Sequence, residues 1–446
     1  MNTPIFDFVK AYADSDIARL HMPGHKGVGG LGVEQFDVTE IKGADSLFEA
    51  DGIIQESEQN AGAIFGSHCF YSAEGSSLSI RAMVYLASLY AKSIGRVPRI
   101  LAARNAHKTF VSAVALTDVS VEWLYADSKD GYLASGDIAE ALDGYLKTNG
   151  ASEPPTALYI TSPDYLGNMQ DIKKIAELCH GAGMLLLVDN AHGAYLKFLR
   201  ESLHPMDLGA DMCCDSAHKT LAALTGAAYL HISKNAPELL SQNAKSAMAL
   251  FASTSPSYLL LSSLDMLNER LDGEYKKDLA IFIDKLDICK QRLANHGYNL
   301  VGNEPMKITI SAKKYGYLGT ELAEILREKH IECEFSDPDF LVLMPSVSGG
   351  GIDRLEEALL SVEKRAEIEA AAPKVSYPEK AVTPREALFS PAVLLPVSEC
   401  EGRILADSSV SCPPAVPIVF SGEIITKEAI SALLYYGIEK VKVIKI

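Results

Sequence analysis

Between about residues 61 and 235, short and nearly unbroken apolar runs alternate with longer stretches whose apolar positions recur every three or four residues. The short runs have the length and β-rich composition of strands buried on both faces. They predict strands at His68–Ala73, Arg99–Ala103, Val119–Ala126, Thr156–Thr161, Met184–Asp189, Asp211–Asp215 and Ala227–Ile232. The helical period predicts Ser77–Ser93, Gly136–Leu146 and Asp171–Ala182 between them. Strands alternating with amphipathic helices imply a mainly parallel sheet covered by helices on both faces. Residues 1–60 show few periodic segments and carry the Gly-rich stretch HMPGHKGVGGLG, so they read as an irregular arm. Ser257–His296 reads as a long helical region joining two domains. Beyond it, strands Lys307–Ala312 and Phe340–Pro345 flank a helix Gly319–Lys329, and Ile352–Ala372 has the pattern of a charged amphipathic helix. The Pro-rich segment SCPPAVPIVFSGE then precedes a final helix and strand. The expected division is an arm at 1–60, a large α/β domain at 61–296 and a smaller α+β domain at 297–446.

Composition narrows the function classes. The 446 residues, 48% of them hydrophobic, suffice for a large core and more than one domain. Forty-one Lys+Arg against 58 Asp+Glu leave a net charge of −17, which repels phosphate backbones and anionic lipid, so neither nucleic acid nor membrane is an expected partner. The 8 Cys form no C-x-x-C pair and no grouping with His at metal-ligand spacing. Reduced thiols and no metal site are expected. The first twenty residues carry acids among their apolar positions and lack the basic start and apolar run of a signal peptide. Apolar runs such as Met184–Val188 are far too short to cross a bilayer. A soluble cytoplasmic protein is expected.

Four local patterns carry candidate chemistry. Ser216-Ala217-His218-Lys219-Thr220 directly follows the apolar strand ADMCCD. A lysine at a strand end, if desolvated, is partly neutral, and a neutral amine forms a Schiff base with an aldehyde; a solvated surface charge is the plainer alternative. Asp189 ends the apolar run MLLLVD, where an ionised carboxylate needs a partner. That partner is a protonated pyridine nitrogen, a helix cap or a salt bridge. Gly75-Ser76-Ser77 lies between a strand and a helix, where free N–H groups bind phosphate or a serine caps the helix. His107, after strand RILAA, stacks on a flat cofactor or caps the next helix. Together the four supply a phosphate site, a stacking ring, a ring-nitrogen acid and an aldehyde-binding lysine at strand ends of one α/β domain, which describes a pyridoxal phosphate pocket.

The chain also resembles the ornithine/lysine/arginine decarboxylase family in its short form, without a receiver-like amino-terminal wing. The matching stretches are HMPGHKG (21–27), TEIKGADSL (39–47), RNAHKT (104–109), SPDYLG (162–167), DIKKIAELCHGAGMLLLVDNAHGAYL (171–196), GADMCCDSAHKTLAALTGAAYLH (209–231), STSPSY (253–258) and PREALF (384–389). The resemblance implies a fold-type-I, aspartate aminotransferase-like α/β fold with a smaller C-terminal α+β domain, and pyridoxal 5′-phosphate as cofactor. By position it makes Lys219 the Schiff-base lysine, Asp189 the partner of the ring nitrogen, His107 the stacking histidine and Ala191 the small residue on the opposite ring face. Gly75, Ser76, Ser77, Ser216 and His218 fall in the phosphate site. Thr254 matches a position that reaches the neighbouring subunit's phosphate, which implies a homodimer with its sites at the interface.

The activity so implied is decarboxylation of a basic L-amino acid (arginine, lysine or ornithine) to its amine and carbon dioxide, as in polyamine biosynthesis. Reprotonation falls to Lys219 or His218. Three departures bear on the substrate: Asn190 stands where the family has Glu, Gly226 where LTQ is common, and Cys412 and Ala415 alter the PYPPGIP-like segment. Glu423 survives there as a carboxylate for a distal ammonium or guanidinium, and Cys412 lies near the expected substrate tail. Tyr165 and His192 border the pocket or are ordinary packing. The competing readings are an aminotransferase or carbon–carbon lyase on the same fold, and a catalytically silent homologue that binds the cofactor.

Overall fold

The computed structural model describes residues 1–126, 136–149, 153–370, 372–408 and 417–445. Thirteen strands are formed among them. They are β1 (His68–Ser72), β2 (Arg99–Ala103), β3 (Ser120–Leu124), β4 (Ala157–Thr161), β5 (Leu185–Asp189), β6 (Met212–Asp215) and β7 (Ala228–Ile232), then β8 (Leu300–Val301), β9 (Ile308–Ser311), β10 (Phe335–Ser336), β11 (Phe340–Leu343), β12 (Ala392–Pro396) and β13 (Lys440–Ile444). The chain forms two compact units, one of Met1–Pro98 with Ile172–Asp278, the other of Arg99–Asp171 with Leu279–Ile446.

In the first unit the strands lie in the order β1-β7-β6-β5. β5 and β6 are parallel, whereas β7 is antiparallel to both β6 and β1. Between Asp215 and Ala228 the chain forms only the short helix Ala217–Thr220, and not the longer crossover helix that usually joins parallel neighbours. All of β5 is buried, as its unbroken apolar run requires. Leu78, Met83 and Leu86 on the buried side of the helix Gly75–Ser93 are each fully buried.

The second unit holds β4-β2-β3, all parallel, and two antiparallel sheets, β10-β11-β9-β8 and β12-β13. Leu326, Leu359, Ile310 and Leu341 belong to one core behind the four-stranded sheet, and Leu433, Val419 and Val443 to a second behind β12-β13.

Three expectations need correction. The first sixty residues include a helix, Pro4–Ala13, and the start of another, Ile53–Phe65. The helical region Ser257–His296 is two helices, Tyr258–Asp272 and Tyr275–His296, with Gly273 capping the first. The helix expected over Ile352–Ala372 covers only Ile352–Leu360. The helix-forming residues beyond it are drawn into tertiary contacts: Arg365 and Ile368 donate their backbone N–H groups to the carbonyls of Tyr315 and Lys313, and the Arg365 guanidinium lies 4.1 Å over the Tyr317 ring.

Candidate active site

The first unit's strand register sets up the site. Ser72 pairs with Ala228, Tyr229 with Asp215, and Cys214 with Asp189, so β1, β6 and β5 run the same way and end on one sheet edge. Open α/β sheets present ligand-binding groups at the carboxyl ends of strands. From that edge emerge the helix Gly75–Ser93, the turn Asn190–Gly193 and the short helix bearing Lys219.

At the start of the long helix Gly75 adopts φ +69° and donates its N–H to the Gly226 carbonyl at 2.7 Å. Gly226 itself sits at φ +101°, and a Cβ there would come 3.1 Å from Leu260. The departure from LTQ is therefore a backbone requirement in this chain. Ser216 Oγ donates to Ser76 Oγ at 2.9 Å, which joins the end of β6 to the helix start, with Ser77 in the same first turn. These hydroxyls and the helix N-terminus form an anion-accepting corner. Ser253 N–H donates to Glu74 at 2.6 Å and brings STSPSY beside it, with Thr254 exposed.

Asp189 is 3% exposed; its Oδ1 accepts from the Ala191 N–H at 3.2 Å and from the Cys214 thiol at 3.5 Å. Asn190 turns away from it and donates to Asp215 Oδ1 at 2.6 Å. Asp215 Oδ2 accepts from the Nε2 atoms of His204 at 2.9 Å and His231 at 3.2 Å. Burial alone would raise the Asp215 carboxyl, but the two imidazoles overturn that and hold it well below the usual carboxylate range. The Met206 N–H donates to His204 Nδ1, so the proton of that ring is on Nε2 and faces Asp215. A cation would need that lone pair, so the three side chains form a hydrogen-bonded support and not a metal centre. The departure at Asn190 has its reason here, because its amide gives the ionised Asp215 a donor where a glutamate would place a second buried carboxylate. Burial, with Asp215 and Asp189 next in line, pushes the Cys213 and Cys214 thiols up, and both stay protonated and inert.

Lys219 is exposed in the single chain, contrary to the desolvated position expected of it. Its Nζ donates to His192 Nε2 at 3.1 Å. His218 Nδ1 lies 2.9 Å from the Ala227 carbonyl and must donate to it. Burial lowers that imidazole from its ordinary value of 6.5, so it is neutral at pH 7 and Nε2 has no proton to give.

The other candidates lie in the second unit. His107 caps the helix Lys108–Thr117, its Nδ1 accepting from Thr109 N–H at 3.2 Å, and the residue is exposed. Glu423 is buried and both its oxygens are taken by Arg104, the Oε2 contact at 3.2 Å; the Phe420 N–H donates to the same Oε2 at 2.8 Å. The distal cation it was expected to hold is thus an internal guanidinium. Arg104 is 1% exposed and lies over Phe420 at 4.5 Å and Trp123 at 5.2 Å, rings that themselves stack at 4.2 Å. Sequence reasoning passed over Arg104 although it opens the RNAHKT stretch. Tyr165 donates to Glu334 at 2.9 Å. Cys412 lies outside the described residues.

The donor chemistry of the first unit fits pyridoxal 5′-phosphate: an amine for its aldehyde, a buried carboxylate for its ring nitrogen, and hydroxyls at a helix start for its phosphate. The profile of the family described as "Orn/Lys/Arg decarboxylase, major domain" matches residues 3–301. Arginine decarboxylase of Bacillus subtilis is 31% identical, over 96% of this chain and 92% of that protein. Arginine decarboxylase of Bacillus anthracis is 28% identical, over 96% and 91%. Among solved structures, lysine decarboxylase A from Pseudomonas aeruginosa superposes with a TM-score of 0.80 at 18% identity, covering 99% of this chain and 80% of that one, a likeness of fold.

Proposed function

The chain belongs to the Orn/Lys/Arg decarboxylase family, pyridoxal-phosphate-dependent lyases of basic amino acids, and from that premise we propose how its own residues serve the reaction. When bound, the cofactor supplies an electron sink for the pair left as the carboxylate departs. Lys219 holds the aldehyde carbon, and Asp189 keeps a proton on the ring nitrogen, a charge arrangement set before substrate arrives. Gly75, Ser76, Ser77 and Ser216 hold the phosphate, with His218 as a wall beside them. His107 and Ala191 bound the two ring faces. The proton returned to Cα comes from Lys219, since His218 is neutral and directs its one N–H at Ala227.

One observation carries this reading. Lys219, Asp189 and the Ser76–Ser216 pair leave three strands of one unit at the same edge. Arginine is the first substrate to test, because relatives named for it match over nearly the whole chain. The carboxylate that reads its side chain is not Glu423, which Arg104 holds. The protein purified with pyridoxal phosphate should show a visible absorbance band and evolve carbon dioxide from arginine, lysine or ornithine. Lys219→Ala should lose the band and at least 10³-fold in turnover, roughly the scale of losing a covalent catalyst. A band without amine from any of the three substrates would overturn the reading.

We further propose a homodimer with the sites at the subunit interface, with Thr254 reaching the partner's phosphate. It is supported by the exposure of Lys219 and Thr254 in the single chain and by an apolar stretch of the arm described below. The division into 1–60, 61–296 and 297–446 is kept as a proposal for the evolutionary domains. A cytoplasmic location accords with the free cysteines and with the fact that no described helix is long and apolar enough to cross a membrane.

A further inference from the structure

We propose that His192 is the proton acceptor for Lys219, removing the ammonium proton so that the amine can attack an aldehyde; this rests on the reading of Lys219 as the cofactor-binding lysine. The geometry is direct, with Lys219 Nζ donating to His192 Nε2 over 3.1 Å. An ammonium has no lone pair, and an ordinary lysine is neutral in roughly one molecule in a few thousand at pH 7. A base in hydrogen-bond contact gives the proton an acceptor at the moment the nitrogen is needed for attack.

The base is better anchored than the amine it serves. His192 is 6% exposed, whereas Lys219 is exposed. The turn carrying the imidazole is held at both ends: Gly193 N–H donates to the Asn190 carbonyl at 2.7 Å, and Asn190 Nδ2 is tied to Asp215 at 2.6 Å. A Cβ at Gly193 would fall 2.0 Å from Asn190 Oδ1, so no other residue permits this turn without displacing that side chain. The neighbouring titratable groups are committed elsewhere. Asp189 accepts from Ala191 and Cys214, Asp215 from His204, His231 and Asn190, and His218 is turned to Ala227. Among the described residues His192 is thus the base at Lys219 Nζ.

His192 takes a proton from the ammonium, and the freed nitrogen lone pair forms the C–N bond to the aldehyde carbon as the carbonyl π bond opens onto oxygen. His192 returns that proton to the oxygen. A second proton passes from the nitrogen to the resulting hydroxyl, the C–O bond breaks, water leaves, and the nitrogen lone pair closes a protonated C=N bond. The three protons of the ammonium thus end as two on water and one on nitrogen.

The test follows attachment and not turnover. Apo-protein is mixed with pyridoxal 5′-phosphate at pH 7, sampled by borohydride reduction, and the Lys219 peptide is weighed. His192→Gln keeps an acceptor that takes no proton, and His192→Gly leaves space for added imidazole. Both should attach the aldehyde roughly 10²-fold slower than the native protein. Imidazole should accelerate His192→Gly and leave His192→Gln unchanged. Attachment by His192→Gln at the native rate overturns the proposal, as does a folded His192→Gly that imidazole fails to accelerate; if His192→Gly does not fold, the glutamine variant decides. Absence of any adduct on Lys219 in the native protein sinks the cofactor reading itself, a result distinct from normal adducts in the variants.

Discussion

Arg104 and Glu423 show how one buried contact changes a residue's role. A surviving carboxylate in an otherwise altered segment reads as a substrate ligand, yet here burial pushes the Glu423 carboxyl up and the guanidinium of Arg104 opposes that push. Removing one member strands the other's charge in the interior. Arg104→Met is therefore expected to destabilise the protein by about 3–5 kcal/mol in urea melts, and Arg104→Met with Glu423→Leu to recover much of the loss. Glu423→Gln should lower stability without changing the ranking of arginine, lysine and ornithine by kcat/KM; a selective rise in KM for one of them would return Glu423 to the substrate pocket. The pairing was not legible in the sequence because its members are 319 positions apart. The strand-end positions of Lys219 and Asp189 were legible, because each ends or follows a buried strand whose length and polarity announce it.

The helix Pro4–Ala13 has no side-chain cap of its own at Thr3. Its first amides are met instead by Asp265 of the helix Tyr258–Asp272, whose Oδ2 accepts from Ile5 and Phe6 N–H at 2.9 Å each. A cap supplied from so far along the chain leaves no local signal, which is why the arm read as irregular. Burial raises the Asp265 carboxyl to about 6 despite those hydrogen bonds and one from Ser57. Since the folded value lies above the unfolded one of about 3.9, the stability conferred by the protonated form is complete below about pH 4 and is lost as pH rises through 6. Asp265→Asn keeps an acceptor for both amides and cannot ionise. It should flatten the pH dependence of stability between 4 and 6.5 and exceed the native protein at pH 7 by about 1–3 kcal/mol. A native protein equally stable at pH 4.5 and 6.5 would refute this.

At the scale of the whole molecule, the arm carries Leu20, Met22, Val28 and Leu31 at 92%, 67%, 79% and 84% exposure. Four large apolar side chains along one short segment are an unusual surface for an isolated chain and suit contact with a second copy. Leu20→Asp with Leu31→Asp is expected to halve the mass measured by light scattering and to reduce decarboxylation at least 10-fold, whereas a variant of unchanged mass and rate would remove the arm from the interface. The strand and helix positions of the large α/β region follow from the amino-acid order alone, because period and local polarity are set by neighbours within a few residues, and the family follows from the ordered motifs along the chain. The partner of Glu423, the cap on the first helix, the support under Asn190 and the contact between His192 and Lys219 were decided by the folded chain. Each depends on the distance between side chains far apart in sequence, and packing alone sets that distance.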